Sequence, residues 1–342
     1  MHRPLRLRLD RAALQHNWHW LEDRAGVPAG AAIKADGYGF GARETMRALH
    51  DAGCRTFFVS TYAEAEDLGP VPGDSSLVVL HGVGPEDVDT AVQSEARPVL
   101  NSAEQVARWK AIAPDRPADV MIDTGMNRLG LRPEEVAAVE GLTIDTLHSH
   151  LACADEDSRM NARQLTDFRE VVAAVPAKRR AMANSAGICL GHDYSFDLVR
   201  PGLSLYGGVP RPEAAGAIRQ VARVDAQVVQ RRRIRTGESC GYGATFVAPT
   251  DTEAAIVNIG YADGYLRGFS ARGNAFAGEF TLPVLGRVSM DLVALGCDAA
   301  TELKEGDWVE LDYDLPTASE ASGLTQYELL TTLGSRFERI WS

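Results

Sequence analysis

A single lysine stands at the end of an apolar run, Ala31-Ala32-Ile33-Lys34, and runs at once into Ala35-Asp36-Gly37-Tyr38-Gly39-Phe40-Gly41. A lysine delivered by a buried strand is partly desolvated, which lowers its pKa and frees the amine for Schiff-base chemistry. Further along, Asn184-Ser185-Ala186-Gly187 and Arg200-Pro201-Gly202-Leu203 combine small residues with a hydroxyl. Bare backbone N–H groups at such turns hold phosphate without needing a lysine of their own. An amine for an imine and a cradle for a phosphate together suggest pyridoxal phosphate, tethered at its aldehyde and anchored at its tail. Each motif alone has a plainer reading: a surface lysine beside a glycine turn, and Asn-Ser and Pro-Gly as turn residues.

Asp123-Thr124-Gly125-Met126-Asn127-Arg128 and His148-Ser149-His150 add polar groups of the same kind. Two histidines at i and i+2 on a strand point to one side and could share a metal. No third ligand is matched to them, so no metal is expected, and one of them is expected to stack or hydrogen-bond instead. Gly241-Tyr242-Gly243, Tyr261-Ala262-Asp263-Gly264-Tyr265 and Gly286-Arg287-Val288-Ser289-Met290-Asp291 frame tyrosines and a polar stretch with glycine. Alone, these read as sheet residues beside turns.

The elements that would carry these groups fall into two halves of the 342-residue chain. Leu5-Arg6-Leu7-Arg8-Leu9 alternates as a half-buried strand, and Asp10 caps a helix with Leu14, Trp18 and Leu21 on one face. Short apolar segments then recur at 31–34, 56–60, 77–81, 98–101, 120–123, 143–150, 180–185 and 198–205, most of them separated by helix-like stretches. Eight buried strands alternating with helices predict an N-terminal (β/α)8 TIM-type barrel over 10–220. Lys34, Ser60, His81, Asn101, Asp123, His150, Ser185 and Arg200 fall near the C-terminal ends of these strands, where such barrels build their sites. Residues 221–342 predict an all-β domain with strands at 221–229, 253–259, 280–284, 288–295 and 307–311 and one helix at 323–333. The strand in residues 1–9 is expected to join it.

Composition narrows the classes. The net charge is −12 and no Lys/Arg stripe interleaves with aromatics, which argues against nucleic acid as a partner. No apolar stretch reaches the ~18 residues of a membrane helix, so no membrane partner is expected. The N-terminus lacks an apolar secretion signal, and the five scattered cysteines form no zinc spacing, so a reduced, cytoplasmic protein is expected.

Together the segments resemble the alanine racemase family of fold-type III pyridoxal-phosphate enzymes. Ile33–Gly39 resembles the family's cofactor-lysine segment. Asp123–Gly130, His148–Glu156, Asn184–Gly187, Arg200–Gly207, Gly241–Thr245, Ile259–Tyr265 and Gly286–Asp291 match its other blocks in order. The resemblance implies a homodimer that acts on a small amino acid. In it, Lys34 would hold the cofactor and serve as base on one face of the substrate, and the partner subunit would contribute its own copy of Tyr242 on the other face. It implies Tyr38, Asn184, Ser185, Gly202 and Leu203 around the cofactor, mostly at its phosphate, and Arg200 at the pyridine nitrogen. Arg128 and His150 would favour the tyrosine phenolate, and Arg128 would also face the cofactor's phenolic oxygen and the substrate carboxylate. The partner subunit would also contribute its own copy of Met290, whose backbone N–H would bind the substrate carboxylate, and Tyr261 and Asp155 would line the entrance. The D-alanine formed would feed peptidoglycan.

Besides a mild difference at Phe40 in the Gly-Tyr-Gly-x-Gly segment, two positions depart from the family. Met121 stands where many members have a lysine, often carbamylated, and Ser335 where several have a phosphate-contacting tyrosine. These keep a broad-specificity racemase, acting on serine or larger amino acids, as a rival reading. A fold-type III decarboxylase would need a catalytic cysteine in a matching block, which the chain lacks. A non-catalytic carrier of the cofactor would resemble the barrel alone.

Overall fold

The computed structural model describes residues 2–342. The chain forms two compact units. One is Leu14–Leu205 with Val209–Arg219; the other combines the N-terminal segment up to Ala13 with Tyr206–Gly208 and Gln220–Ser342.

Strand β1 (Leu5–Leu9) belongs to the second unit, and the seven strands that follow it build the first. These are β2 (Ala31–Ala32), β3 (Thr56–Val59), β4 (Ser76–Val79), β5 (Arg97–Leu100), β6 (Ala118–Met121), β7 (Ile144–His148) and β8 (Arg179–Ala181). They pair in sequence order and in parallel, each reached by a crossover, as a β/α barrel requires. The predicted eighth strand, 198–205, is not a regular strand. It still bridges both edges of the sheet: Arg200 N–H donates to Ala183 O (2.8 Å), Gly30 N–H to Val199 O (2.9 Å) and Ala32 N–H to Pro201 O (2.9 Å). Pro201 has no N–H to give a ladder, which accounts for the broken strand. Side chains of Phe58, Val78, Val99, Met121, Ala181 and Leu198 fill one layer of the interior.

Helices Ala42–Ala52, Tyr62–Leu68 and Ala103–Ile112 follow β2, β3 and β5, and Ser102 and Thr61 cap two of them through their hydroxyls. The stretch Pro133–Val139 is a 3-10 helix rather than an α-helix.

In the second unit β9 (Ala222–Ile234) is the spine. It pairs with β1, with β16 (Trp308–Leu311) and with β12 (Thr252–Val257). Through β15 (Val293–Gly296), β14 (Phe280–Leu285) and β13 (Asn274–Ala277) the sheet returns to β16, closing a ring of six strands. β1 lies outside this ring and is flanked by β17 (Glu338–Trp341), which runs parallel to it. The alternation of β1 is realised in full: Leu5, Leu7 and Leu9 are buried, while Arg8 turns outward to Asp225 (2.6 Å) and Glu310 (2.6 Å).

Several expectations for this half need correction. Residues 288–292 are loop, and only Val293–Gly296 is strand, because Ser289 folds back onto Leu292 by two hydrogen bonds. The predicted helix at 323–333 is the shorter Gln326–Thr331, preceded by a separate helix, Leu315–Ser322. Gly323, at φ 72°, ends the first, and Thr325 caps the second. Strands β13 and β17, and the short pair β10 (Ser239–Cys240) and β11 (Phe246–Val247), carried no predicted strand.

Candidate active site

The strand bearing the lysine ends two residues early. β2 stops at Ala32, and Lys34 opens a turn in which Ala35, Asp36, Gly37 and Tyr38 have φ of 52°, 51°, 62° and 53°. This is a full left-handed turn, closed by Gly37 N–H to Ile33 O (2.8 Å) and Gly39 N–H to Ala35 O (3.0 Å). For residues with a Cβ it costs about 1–2 kcal/mol each, so neighbouring groups must hold it. Asp36 Oδ1 accepts from Ala42 N–H (2.8 Å). Glu64, in the helix after β3, accepts from Ala35 N–H (2.8 Å) with one carboxylate oxygen and from Ser60 N–H (2.6 Å) with the other. The lysine is half-buried. Burial lowers its pKa, Arg128 lowers it further, and Glu64 opposes them.

The left-handed turn carries Tyr38 onto Gly202. A Cβ at Gly202 would lie 2.3 Å from Tyr38 Oη, so only glycine lets the ring settle there. Ser185 Oγ accepts from Gly202 N–H (3.0 Å) and Ser204 N–H (3.2 Å), which leaves its own proton free to donate. The Ser204 hydroxyl is buried without a partner, and Leu203 N–H has no acceptor among the described residues. Buried donors of this kind, lacking protein acceptors, fit a phosphate group. Asn184 serves the backbone, its Oδ1 capping the helix Ser185–Cys189 at Gly187 N–H (2.9 Å).

Arg200 is buried, and three of its donors are fixed. Nη1 gives to Ala181 O (2.8 Å) and His148 Nδ1 (3.0 Å), and Nη2 gives to Ser149 O (2.7 Å). Its Nε–H engages nothing among the described residues. His148 Nε2 in turn donates to Asp119 (2.9 Å), itself paired with Arg97 (2.6 Å), all of them inside the barrel. An arginine can only donate, so the Arg200 bond makes His148 Nδ1 an acceptor and fixes the neutral Nε2–H tautomer. Burial, followed by the Arg200 charge, pushes the His148 pKa down to about 4 despite Asp119. His150 faces Arg200 Nη2 through Nδ1 (3.5 Å). Burial, then Arg200, Arg128 and Lys34, push it down to about 3. The two histidines do share a side, and what they face is an arginine. No cluster of three or more metal-ligating side chains exists among the described residues.

Arg128 stands on a loop fixed by Asp123 Oδ1, which accepts from Gly125 N–H (2.9 Å) and Asn127 N–H (3.1 Å). The arginine itself is exposed and makes no hydrogen bond or ion pair among the described residues. Met121 lies in the apolar barrel layer, where it offers nothing to hold a guanidinium. Asp155 is exposed on a loop secured by Gln164, Asn161 and Arg211; Arg211 donates to Ala154 O (3.2 Å) and pairs with Asp157 (2.6 Å).

In the second unit, Tyr242 is 66% exposed and Met290 53%. Gly241, Gly243 and Ala244 have positive φ in the turn that carries Tyr242 between β10 and β11. Tyr261 N–H donates to Ser289 O (3.0 Å) and Ala262 N–H to Met290 O (3.0 Å), so Tyr261 and Met290 belong to one surface. Arg336 clamps that surface from the C-terminal segment, pairing with the buried Asp263 (2.6 Å) and with Asp291 (2.8 Å). Ser335, beside it, is exposed.

Residues 9–210 match the family model described as alanine racemase, N-terminal domain, and residues 221–341 match alanine racemase, C-terminal domain. The chain belongs to the alanine racemase family. Among its relatives, the alanine racemase of Methylobacterium nodulans is 40% identical, covering 98% of this chain and 95% of that one. A catabolic alanine racemase of Agrobacterium fabrum is also 40% identical, over 97% and 91%. Of solved structures, alanine racemase from Bartonella henselae with covalently bound pyridoxal phosphate superposes with a TM-score of 0.92. It is 34% identical and covers 99% of both chains. The biosynthetic alanine racemase of Pseudomonas aeruginosa gives 0.91 at 32% identity, covering both chains fully.

The sequence reading gives no role to Asp119 or Glu64. Asp119 is legible as a lone charge inside an apolar strand, and His148 is read there as one of two histidines that could share a metal, or of which one stacks or hydrogen-bonds. Glu64 was hidden by the Thr61-x-x-Glu64 spacing, which reads as an ordinary helix cap.

Proposed function

We propose that this chain is a cytoplasmic, pyridoxal-phosphate-dependent racemase that interconverts L- and D-alanine by a two-base mechanism, working as a homodimer and supplying D-alanine for peptidoglycan. The observation that carries most weight is Arg200, whose Nη donors are pinned by Ser149, Ala181 and His148 while Nε–H stays unengaged. It suits a ring nitrogen that accepts a hydrogen bond and is not protonated. Ser185, Gly202, Leu203 and Ser204 would hold the phosphate, with Tyr38 packed against them. When bound, the cofactor would supply the electron sink that makes the substrate α-proton acidic.

The chain's own residues then divide the proton work. Lys34, its proton affinity lowered by burial and Arg128, takes or returns the α-proton on one face. Tyr242 serves the other face from the partner subunit, and its exposure on an isolated chain suits that use. Racemisation needs two such groups because the proton must leave one side and return on the other. Neutral His150 can help Tyr242 only as a hydrogen-bonding group, so Arg128 is the cation left to favour a phenolate. Met290 would offer its backbone N–H to the substrate carboxylate, and Tyr261 and Asp155 would line the entrance.

The test is α-hydrogen exchange in D2O with the cofactor-loaded protein and a panel of L- and D-amino acids, each product resolved by chirality. Exchange with inversion confined to alanine is the expected result. Inversion of serine and larger substrates would favour the broad-specificity reading, which the small, exposed Ser335 supports. Absence of exchange with cofactor still bound would overturn the racemase reading.

A further inference from the structure

Glu64 closes no ordinary capping box. Thr61 Oγ1 does accept from Glu64 N–H (3.2 Å), the first half of that motif. In the reciprocal bond Thr61 N–H would donate to the Glu64 carboxylate. Instead the carboxylate reaches past its own helix. One oxygen takes Ser60 N–H at the end of β3 (2.6 Å), and the other takes Ala35 N–H, directly after Lys34 (2.8 Å). Both partners are backbone donors, so both oxygens must be acceptors. A carboxylate meets that demand and a carboxamide does not, because its NH2 would face one of the N–H groups.

The bond to Ala35 holds the first residue of the left-handed turn that sets the direction of Lys34 and carries Tyr38 to Gly202. Three of the four residues in that turn pay the steric cost of a Cβ, so its conformation depends on such outside bonds. The charged and titratable groups around Lys34 are Arg128 from the β6–β7 connection, His150 after β7, Glu64 after β3, and Asp36 and Tyr38 on its own turn. Arg128 and Glu64 act on the lysine in opposite senses.

We propose that Glu64 is the positioning residue of Lys34: its bidentate carboxylate locks the left-handed turn to the end of β3 and sets a negative charge against the lysine amine, opposing Arg128. The proposal rests on Lys34 being the cofactor lysine and a base. Glu64 does not touch substrate; it acts through the backbone and the field at one amine.

The experiment compares cofactor-loaded wild type, Glu64→Gln and Glu64→Asp. The Gln variant removes the charge and one of the two bonds. Its Lys34, a free amine only once substrate has taken its place on the cofactor, should deprotonate more readily, moving the acid limb of the kcat profile for alanine to lower pH by about half to one unit. Backbone amide exchange at Ala35 should rise about tenfold in the same protein as the turn loosens. Glu64→Asp keeps the charge on a shorter arm, so Ala35 should lose protection while the acid limb stays near its wild-type position. An unmoved or upward-moving limb in Glu64→Gln overturns the electrostatic role, and unchanged Ala35 protection overturns the lock. Should Glu64→Gln fail to fold, Glu64→Asp decides: full protection of Ala35 overturns the proposal. Lys34→Ala separates this from the parent reading. If that variant still racemises alanine, the assignment of Lys34 fails first; if it is dead and the limb is unmoved, only the role of Glu64 fails.

Discussion

The smallest scale is set by what each donor and acceptor is free to do. Lys34 is half-buried beside a cation and an anion, and Tyr242 is exposed without a hydrogen-bond partner among the described residues. Replacing each alone should separate their roles. Lys34→Ala should abolish the absorbance of lysine-bound cofactor and lower racemisation by on the order of 10³-fold or more, read by spectrum and by chiral product analysis. Tyr242→Phe should keep that absorbance and slow α-hydrogen exchange by ~10²–10⁴-fold from one enantiomer while largely sparing the other. Equal loss in both directions would count against two separate bases. Met121 shows the opposite lesson. Its neighbours Phe58, Val78 and Val99 make its position an apolar one, so this chain carries no anion there to steady Arg128.

At the scale of elements, two features hold the site in shape. The first is the close approach of the Tyr38 turn to Gly202. Gly202→Ala would force the tyrosine ring away from a Cβ 2.3 Å from its oxygen. The expected result is a cofactor Kd about tenfold weaker, about what one lost hydrogen bond costs, measured by fluorescence titration of the apo-protein. The second is the row of Arg97, half-buried, with the buried Asp119, His148 and Arg200, across β5, β6 and β7 and the segment after β8. His148 stays neutral when folded down to about pH 4, whereas a histidine in the unfolded chain takes its proton near 6.5. The unfolded state therefore binds more protons in that window. The stability tied to a neutral His148 is complete above about 6.5 and is lost as pH falls from there toward 4. His150, pushed down to about 3, acts in the same direction. Urea midpoints should fall steadily between pH 7 and 4.5, and a flat series would contradict the neutral, buried pair.

For the whole molecule, the groups proposed for one reaction lie on two compact units, and Tyr242 and Met290 are exposed on theirs. If each site draws Tyr242 from a second chain, two dead variants should rescue one another. Lys34→Ala and Tyr242→Phe chains, mixed and allowed to exchange subunits, should form mixed dimers with one intact site. An equal mixture should recover about a quarter of wild-type activity, because half of the dimers are mixed and each has one working site of two. No recovery despite demonstrated exchange would place Lys34 and Tyr242 of a single chain in the same site.

The sequence by itself determined the barrel, since apolar runs of strand length separated by helical stretches can bury both faces only as a parallel, helix-covered sheet. It also determined which residues stand at the C-terminal ends, because position along a strand is a local property. Leu5–Leu9 was legible as a strand for the same reason: its alternation is visible within five residues. The tertiary structure alone decided matters that depend on pairing between distant segments. The strand ahead of Lys34 ends early because a left-handed turn is held from outside by Glu64, 30 positions on, and no local pattern marks an alanine, an aspartate and a tyrosine as left-handed. His148 became the partner of Arg200 because two segments 52 residues apart meet in the barrel. The two strands without a predicted counterpart in the β domain's main sheet, β13 and β17, are set by their neighbours in the sheet, which short polar sequences such as Glu338–Trp341 do not announce.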